Sequence, residues 1–272
     1  MRVCLVVALA ACTKTAPVAI TSLASVPRAE PVPAATPKAL RVMSYNLNFG
    51  MAGDPDGAAA IAQGSADIVM LQEANETWEA SLVAALPQYA HHRFAAPVDW
   101  PAGGMGMLSR YPIRSIETLP AGEGGLFFAW RVVVDAPRGP IQILNVHLRP
   151  PVTDGGSWVV GFFTTRGIRE HELAWHLARL DPALPTLVVG DFNEEASSGT
   201  ALATAARVGF DDAIAQHAGR TRTWEWQVGM MTLRFQLDHV LYDRHFVAPR
   251  AGIVEAGRSD HKPVWADVER VD

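Results

Sequence analysis

The sequence predicts an α/β domain built mainly of β-strands, because short apolar runs of strand length recur along the chain and only two stretches carry a helical pattern. Helices are predicted over residues 74–85 and 166–180. Many strands with few helices between them favour stacked sheet layers over a strict βαβ repeat. The predicted strands cover residues 40–47, 68–71, 106–109, 127–134, 140–148, 186–189, 233–242 and 264–268.

The first residues have the pattern of an export signal. A short basic start is followed by the apolar residues 3–10, which are too few to span a bilayer. The segment ends in Leu9-Ala10-Ala11-Cys12, which resembles the lipobox of bacterial lipoprotein signals. We therefore expect residues 1–11 to be a signal peptide and Cys12 to carry lipid. The protein would then be exported and anchored to a bacterial membrane, facing the periplasm or the cell exterior. The alternative is an ordinary cleaved signal with an incidental cysteine.

Residues 12–38 are predicted to be a tether that carries the lipidated cysteine. Proline recurs at positions 17, 27, 31, 33 and 37, and proline lacks the N–H that helix and sheet bonding requires. The catalytic domain is expected over residues 39–272. Cys4 and Cys12 are the only two cysteines of the chain, so this domain contains no disulfide and depends on its core for stability.

Composition narrows the class of partner. The chain has 272 residues, is 49% hydrophobic and 19% charged, and carries a formal net charge of −5. Proteins that hold long nucleic acids mainly through their phosphates usually carry a surplus of basic residues. The charge therefore disfavours a general polyanion binder and leaves a small phosphorylated substrate open.

Polar residues stand at the ends of the apolar runs, where their positions suggest chemistry. One such residue after a strand is usually a turn former, but the pattern recurs at many strand ends, and unpaired polar groups are costly to bury. The segments concerned are Ser44-Tyr45-Asn46, Leu71-Gln72-Glu73, Asn145-Val146-His147, Gly190-Asp191-Phe192-Asn193, Leu237-Asp238-His239 and Ser259-Asp260-His261.

These segments occur in the order seen in the endonuclease/exonuclease/phosphatase superfamily, and the chain resembles that superfamily over about residues 39–269. The resemblance implies a DNase-I-like four-layer α/β sandwich, with two mixed β-sheets packed face to face and helices outside. It also implies a divalent-metal-dependent hydrolase of phosphoester bonds, with phosphodiesters as the favoured substrates. The implied cofactor is Mg²⁺ or Mn²⁺, and the implied partner is a nucleic acid, a phospholipid headgroup or a small phosphoester.

The resemblance also assigns roles. Asn46, Glu73 and Asp260 match the family's metal site and offer the oxygen ligands that Mg²⁺ prefers. His261 matches the base that activates water, and Asp238 the carboxylate that holds it. Asp191 matches the residue that orients the water or assists the leaving group. Asn193 and His147 match donors to the phosphoryl oxygens.

Several alternatives stay open at this level. A membrane-tethered binding module that kept the fold without catalysis is the competing class, although it would be expected to lose some of these polar residues. Asn48 is either a second-metal or water-shell group or a turn residue, and His239 should face away from Asp238 on its strand. The segment His171-Glu172 with His176 has the wrong spacing for a helical zinc site.

Weaker candidates lie elsewhere in the chain. Tryptophan either packs in the core or stacks on substrate, and arginine is a natural contact for phosphate. The histidines at 91, 92 and 217 are predicted to lie in solvated loops. The tryptophan and arginine candidates are Trp158, Trp224, Trp226, Arg149, Arg166 and Arg222.

Overall fold

The strands form two large sheets and one hairpin in the computed structural model, which describes residues 32–271 except 36, 37, 98, 154, 220 and 229. The predicted signal peptide, Cys12 and most of the predicted tether lie outside the described residues. The strands are β1 (Leu40–Asn46), β2 (Ile68–Gln72), β3 (His91–Ala95), β4 (Met105–Ser109), β5 (Ile113–Leu119), β6 (Ala129–Ala136), β7 (Gly139–His147), β8 (Thr186–Asp191), β9 (Asp211–Asp212), β10 (Trp224–Val228), β11 (Met231–Phe235), β12 (Asp238–Tyr242), β13 (Phe246–Ile253) and β14 (Val264–Arg270).

The helices have recognisable sequence starts. Asp54 caps α1 through a bond from the amide of Asp56, and Asn75 caps α2 through a bond from the amide of Trp78. Short 3₁₀ turns occupy Phe49–Met51 and Pro101–Gly103. The α-helices are α1 (Pro55–Gly64), α2 (Glu76–Ala85), α3 (Trp158–Thr164), α4 (Arg166–Leu177), α5 (Thr200–Arg207) and α6 (Ala213–His217).

Each large sheet has six strands and contains one parallel pair. The first sheet has the order β13-β14-β1-β2-β4-β3, with β1 parallel to β2. The second has the order β5-β6-β7-β8-β12-β9, with β7 parallel to β8. The neighbours of these pairs run antiparallel, so both sheets are mixed.

The sheets pack face to face. Val42 and Met70 of the first sheet share one buried cluster with Val132 and Val189 of the second. Strands alternate their side chains between faces, so the outward faces need their own cover. The first sheet receives it from α1 and α2, and the second from α4 and α5. The predicted four-layer α/β sandwich is therefore confirmed.

Some predicted elements need correction. The run predicted as one strand over residues 233–242 is two strands, β11 and β12, that belong to different sheets. His91 and His92 lie in β3 rather than in a loop, and His217 ends α6. Helices α1, α3, α5 and α6 were not predicted from the sequence.

Within the described residues, no helix is both long and apolar enough to cross a membrane.

Candidate active site

The polar strand ends converge because of the sheet topology. The carboxyl ends of the parallel strands β1 and β2 lie together, as do those of β7 and β8. The antiparallel strands β12 and β14 begin at the same edge, since Asp238 pairs with Asp191 and the start of β14 lies beside the end of β1. Asn46 Nδ2 donates a hydrogen bond to Asp191 Oδ2, at 3.1 Å, which joins the two sheets there.

A chain of two histidines and two aspartates lies at the centre of this edge. His261 Nδ1 lies 2.9 Å from Asp238 Oδ2, which leaves Nε2 directed at Asp191 Oδ2, 3.5 Å away. The Nε2 atom of His147 lies 3.6 Å from the same aspartate oxygen. All four side chains are buried, and Phe127 stacks on the His147 ring at a centroid distance of 4.1 Å. The structure therefore brings together four of the five residues to which the resemblance gave catalytic roles.

The electrostatics of these residues differ sharply. Burial alone lowers the pKa of His261, but the carboxylates of Asp238, Asp191 and Asp260 raise it to about 10. Burial and the nearby His261 cation lower the pKa of His147 to about 3, so this imidazole is neutral near pH 7. Burial, reinforced by Asp238, raises the pKa of Asp191.

The fifth residue, Asn193, lines the same cavity. Its backbone amide donates to Asp191 Oδ1 at 2.8 Å, and its side-chain Nδ2 donates to the carbonyl of Leu148 at 2.9 Å. An amide nitrogen carries two hydrogens, so one N–H of Asn193 is available for a further acceptor after the Leu148 bond.

The residues to which the resemblance gave metal roles form a connected polar network beside His261. Asn46 Nδ2 donates to Glu73 Oε1 at 3.0 Å, and the backbone N–H of Asn48 donates to Asn46 Oδ1 at 3.1 Å. Asn48 Nδ2 in turn donates to Asp260 Oδ1 at 2.8 Å. Glu73, Asp260, Asp191 and His261 line one cavity of about 150 Å³. Asn48, whose role the sequence left open, thus joins Asn46 to Asp260.

The backbone is strained at three residues of the site. Asn48, Glu73 and Asn193 have φ values of 57°, 57° and 51°, in the left-handed region that residues other than glycine rarely adopt. Such conformations cost on the order of 1–3 kcal/mol and collect at functional sites. At Gly190, next to Asp191, a Cβ would lie 1.9 Å from the carbonyl oxygen of Val146, so glycine is required there.

The sequence did not reveal that Trp224 and Thr223 position the site. Trp224 Nε1 donates to Asp260 Oδ2 at 2.9 Å, although the sequence left Trp224 undecided between packing and stacking. Thr223 Oγ1 accepts from the backbone amides of Leu237 and Asp238 and so fixes the start of β12. No local pattern marks either residue, because their partners are more than a dozen positions away.

His239 lies on the opposite face of β12 from Asp238. Its Nδ1 lies 2.7 Å from Asp212 Oδ2 and its Nε2 lies 2.9 Å from the carbonyl of Glu194. It is fully buried and contacts Phe192 edge to face. These contacts fit the structural role predicted from strand alternation.

The other candidates are divided between the site and its surroundings. Trp226 lines the cavity, whereas Arg149 is buried and donates to the carbonyl of Gly124. Arg166 donates to the carbonyl of Ser198, and Arg222 lies in a separate polar groove. The backbone of Trp158 begins α3, but its side chain lies outside the described part of the chain.

The donor set suits a hard divalent cation. Glu73, Asp191 and Asp260 present carboxylates to one small cavity, and burial raises the pKa of Glu73 and of Asp191. Asp191 is buried, and Glu73 and Asp260 are half-buried, so three carboxylates in one small cavity need compensating positive charge, which His261 alone does not supply. Asp191, Asp238 and His261 also offer ligand atoms within 4.8 Å of one another. The residues present therefore fit a cation with oxygen ligands, such as Mg²⁺.

The chain belongs to the Endonuclease/Exonuclease/phosphatase family, whose sequence profile matches residues 43–261. This match spans every one of the polar strand ends described above. No curated protein sequence matches the chain.

Solved structures share the fold at low sequence identity. An endonuclease/exonuclease/phosphatase from Beutenbergia cavernae is 22% identical with a TM-score of 0.68, covering 86% of this chain and 72% of that one. A mannosyl-6-phosphatase from Bacteroides thetaiotaomicron is 17% identical with a TM-score of 0.63, covering 84% and 99% of the two chains. Sphingomyelinase C from Streptomyces griseocarneus is 19% identical with a TM-score of 0.60, covering 85% and 99%.

Proposed function

We propose that the protein is a divalent-metal-dependent hydrolase that cleaves phosphoester bonds, and phosphodiesters in the first place, by water attack. The observation that carries this proposal is the buried pair of His261 and Asp238, with His261 Nε2 directed at Asp191 in a cavity that Glu73 and Asp260 also line. A base, an acidic partner and oxygen ligands at one cavity are the parts that metal-assisted hydrolysis requires.

Asn46, Glu73 and Asp260 are proposed to hold Mg²⁺ or Mn²⁺. The cation would supply positive charge to the phosphoryl oxygens and to the departing oxygen. Asn46 directs its amide nitrogen at Glu73, so a metal-ligand role for Asn46 requires its amide to turn and present Oδ1. Positive charge beside Asp260 also counteracts the rise in the pKa of His261 that the carboxylates cause.

The chain's own residues then divide the remaining work. Asp238 accepts the Nδ1–H of His261 and fixes the tautomer, so Nε2 accepts the proton of the attacking water. Asp191 orients that water, since it lies beside both imidazoles. Neutral His147 and the second N–H of Asn193 donate to the phosphoryl oxygens, where negative charge develops.

The competing class is a non-catalytic binding module with the same fold. The burial of His261 and Asp238 beside Asp191 favours catalysis, because a buried ionisable cluster is costly to maintain without a use. The strained backbone at Asn48, Glu73 and Asn193 supports the same conclusion.

A substrate panel tests the proposal directly. Plasmid DNA, bis-p-nitrophenyl phosphate, sphingomyelin, a sugar phosphate and inositol phosphates would each be incubated with the protein and Mg²⁺ or Mn²⁺. His261→Ala, purified identically, controls for contaminating hydrolases. The expected result is metal-dependent turnover of at least one substrate that is at least about 100-fold slower with the variant. A folded protein that turns over none of them would support the binding module.

We also infer that the mature protein is anchored to a bacterial membrane through Cys12. The support is the sequence Leu9-Ala10-Ala11-Cys12 followed by the proline-rich tether. Membrane fractionation of the wild type and of Cys12→Ala tests the inference. The wild type should sediment with membranes and the variant should not. A soluble wild type whose N-terminus is not residue 12 would contradict it.

A further inference from the structure

An apolar groove opens beside the catalytic cavity. It has a volume of about 210 Å³ and is lined by Pro151, Trp224, Leu233, Phe235 and Leu237. Asn193 and Trp224 line both the groove and the catalytic cavity, so the two spaces are neighbours. A group attached to a phosphate in the cavity therefore has a direct path into the groove.

The β10–β11 hairpin provides one wall of the groove because it is amphipathic. Trp224 pairs with Phe235 and Trp226 pairs with Leu233 across the two strands, which places all four on one face. The rings of Trp224 and Trp226 stack at a centroid distance of 6.4 Å. The opposite face is polar and carries the ion pair of Arg234 with Glu225, at 2.7 Å.

The apolar face continues beyond the groove towards the tip of the hairpin. Trp226, Leu233 and Met231 are 49%, 37% and 66% exposed, and Met230 at the turn is fully exposed. Large apolar side chains clustered in this way on a surface usually mark a binding site. This cluster adjoins a catalytic cavity, which indicates a ligand that the cavity also holds.

Four charged residues also line the groove, Arg166, Arg169, Glu194 and Glu195, and the two buried ones, Arg169 and Glu194, are paired with each other. Arg169 Nε bonds Glu194 Oε1 at 3.0 Å, and both side chains are buried. Glu194 Oε2 accepts from the amide of Ala201, and Arg169 Nη1 donates to the carbonyl of Arg149. These groups do not need a polar ligand. Most of the groove's exposed lining is apolar, although Asn193, Glu195 and Ser198 also contribute to it, so the hydrogen-bonding edges of a nucleobase would find few partners along it. An alkyl chain requires none.

We propose that the groove binds an alkyl chain attached to the substrate phosphate, so that the substrate is an amphiphilic phosphoester. The inference rests on the function proposed above, since the catalytic cavity must hold the phosphate. The net charge of −5 is consistent with this choice over a nucleic acid. The hairpin and Leu237 contact the chain, while Asn193 and His261 face the phosphate.

Binding of n-alkylphosphonates tests the groove, because their P–C bond resists hydrolysis. Methyl-, butyl- and octylphosphonate would be titrated into the full-length protein with Mg²⁺ by calorimetry. The dissociation constant should fall as the chain lengthens, by up to about fourfold for each methylene that is buried. A dissociation constant that does not change from methyl to octyl would overturn the proposal.

Two groove variants and a matched control locate the effect. Leu233→Gln makes the wall polar, and Ser198→Phe adds a ring at the groove lining, so both should flatten the dependence on chain length while leaving methylphosphonate binding unchanged. Val247→Gln makes the same kind of change at a valine 50% exposed on β13, which lies in the first sheet and does not line the groove, and it should keep the wild-type dependence. Equal loss in all three variants would contradict a groove at this place.

A nucleotide comparison and an activity assay separate the remaining outcomes. Thymidine 5′-monophosphate should bind more weakly than octylphosphonate, and the reverse order would assign the groove to a base and overturn the alkyl proposal. Chain-length-dependent binding without hydrolysis of any panel substrate would contradict the proposed function and keep the groove. Hydrolysis of a panel substrate without chain-length-dependent binding would support the proposed function and contradict the alkyl-chain proposal.

Discussion

His261 and Asp238 meet at the start of two strands from different sheets, with Nδ1 of the histidine 2.9 Å from Oδ2 of the aspartate. Asp238 begins β12 in the second sheet, and His261 precedes β14 in the first. Both side chains are buried. The backbone N–H of His261 donates a hydrogen bond to the hydroxyl of Ser259 at 3.1 Å. The pair therefore spans the interface between the sheets and depends on their correct packing.

Replacing His261 should remove most of the turnover. His261→Ala is expected to lower kcat by at least about 100-fold, because general-base catalysis contributes roughly 10²–10⁴-fold. Asp238→Asn should also lower kcat, since an amide does not stabilise the imidazolium. The double variant should be scarcely slower than His261→Ala alone, because residues that act as a unit are not additive. Steady-state kinetics with saturating Mg²⁺ measures all three, and full additivity would contradict the pairing.

His239→Phe is the matched control for these variants. It changes a buried histidine on the same strand whose partners are Asp212 and the carbonyl of Glu194. Loss of these bonds should lower the free energy of unfolding by roughly 1–3 kcal/mol or more. Below its melting temperature the variant should keep a near-normal kcat. An indispensable His239 together with a dispensable His261 would reverse the assigned roles.

Metal removal should abolish hydrolysis reversibly. Exhaustive EDTA treatment is expected to eliminate activity, and Mg²⁺ or Mn²⁺ should restore it, whereas Zn²⁺ should substitute poorly because the proposed ligands are oxygens. Mg²⁺ should also raise the melting temperature, since a ligand that binds only the folded state stabilises it. Glu73→Gln should weaken both effects of Mg²⁺. Full activity after chelation would refute the mechanism.

Trp224 should control metal affinity through Asp260. Trp224→Phe keeps an aromatic ring beside Phe235 but removes the 2.9 Å bond from Nε1 to Asp260 Oδ2. Loss of such a supporting bond typically weakens metal binding about 10–100-fold. The Mg²⁺ concentration for half-maximal activity should therefore rise, with kcat at saturating metal little changed. Trp226→Phe makes the same exchange without touching Asp260 and should leave the metal requirement unchanged.

Glu172 and His176 should oppose each other in the pH dependence of stability. They lie one turn apart on α4 and are fully or almost fully buried. Burial raises the pKa of Glu172 to about 7, although the Arg149 amide and the charges of Arg169 and Arg149 lower it in part. Burial, with Arg179 nearby, lowers the pKa of His176 to about 4.

The signs follow from the protons that each state binds. Folded Glu172 keeps its proton longer than unfolded Glu172, so its contribution to stability is lost as pH rises from about 4.5 to 7. Folded His176 resists protonation, so its contribution is lost as pH falls from about 6.5 to 4. Relative to wild type, the stability of Glu172→Gln should rise between pH 5 and 7, and that of His176→Gln should fall, each by on the order of 2 kcal/mol. Urea unfolding at both pH values measures this, and parallel profiles for all three proteins would contradict it.

The sequence was sufficient to predict the sheet-rich fold class and the set of polar residues at the strand ends. Strands show themselves through short apolar runs, and a residue such as Asn46 or Asp191 is conspicuous directly after one. It did not reveal that residues 233–242 divide between a hairpin and the second sheet, because the run contains only the weak break at Gln236 and Leu237.

Which of these polar groups contact one another, and which residues hold them in place, depends on the tertiary structure. The hydrogen bond from Trp224 to Asp260 joins two residues that are 36 positions apart in the sequence. The hydrogen bond from Asn48 to the same aspartate joins two residues that are 212 positions apart. The groove beside the cavity exists because the hairpin folds its apolar face towards Pro151 and Leu237. Local sequence records propensity and periodicity, whereas contacts between distant residues depend on strand order and on how two sheets pack.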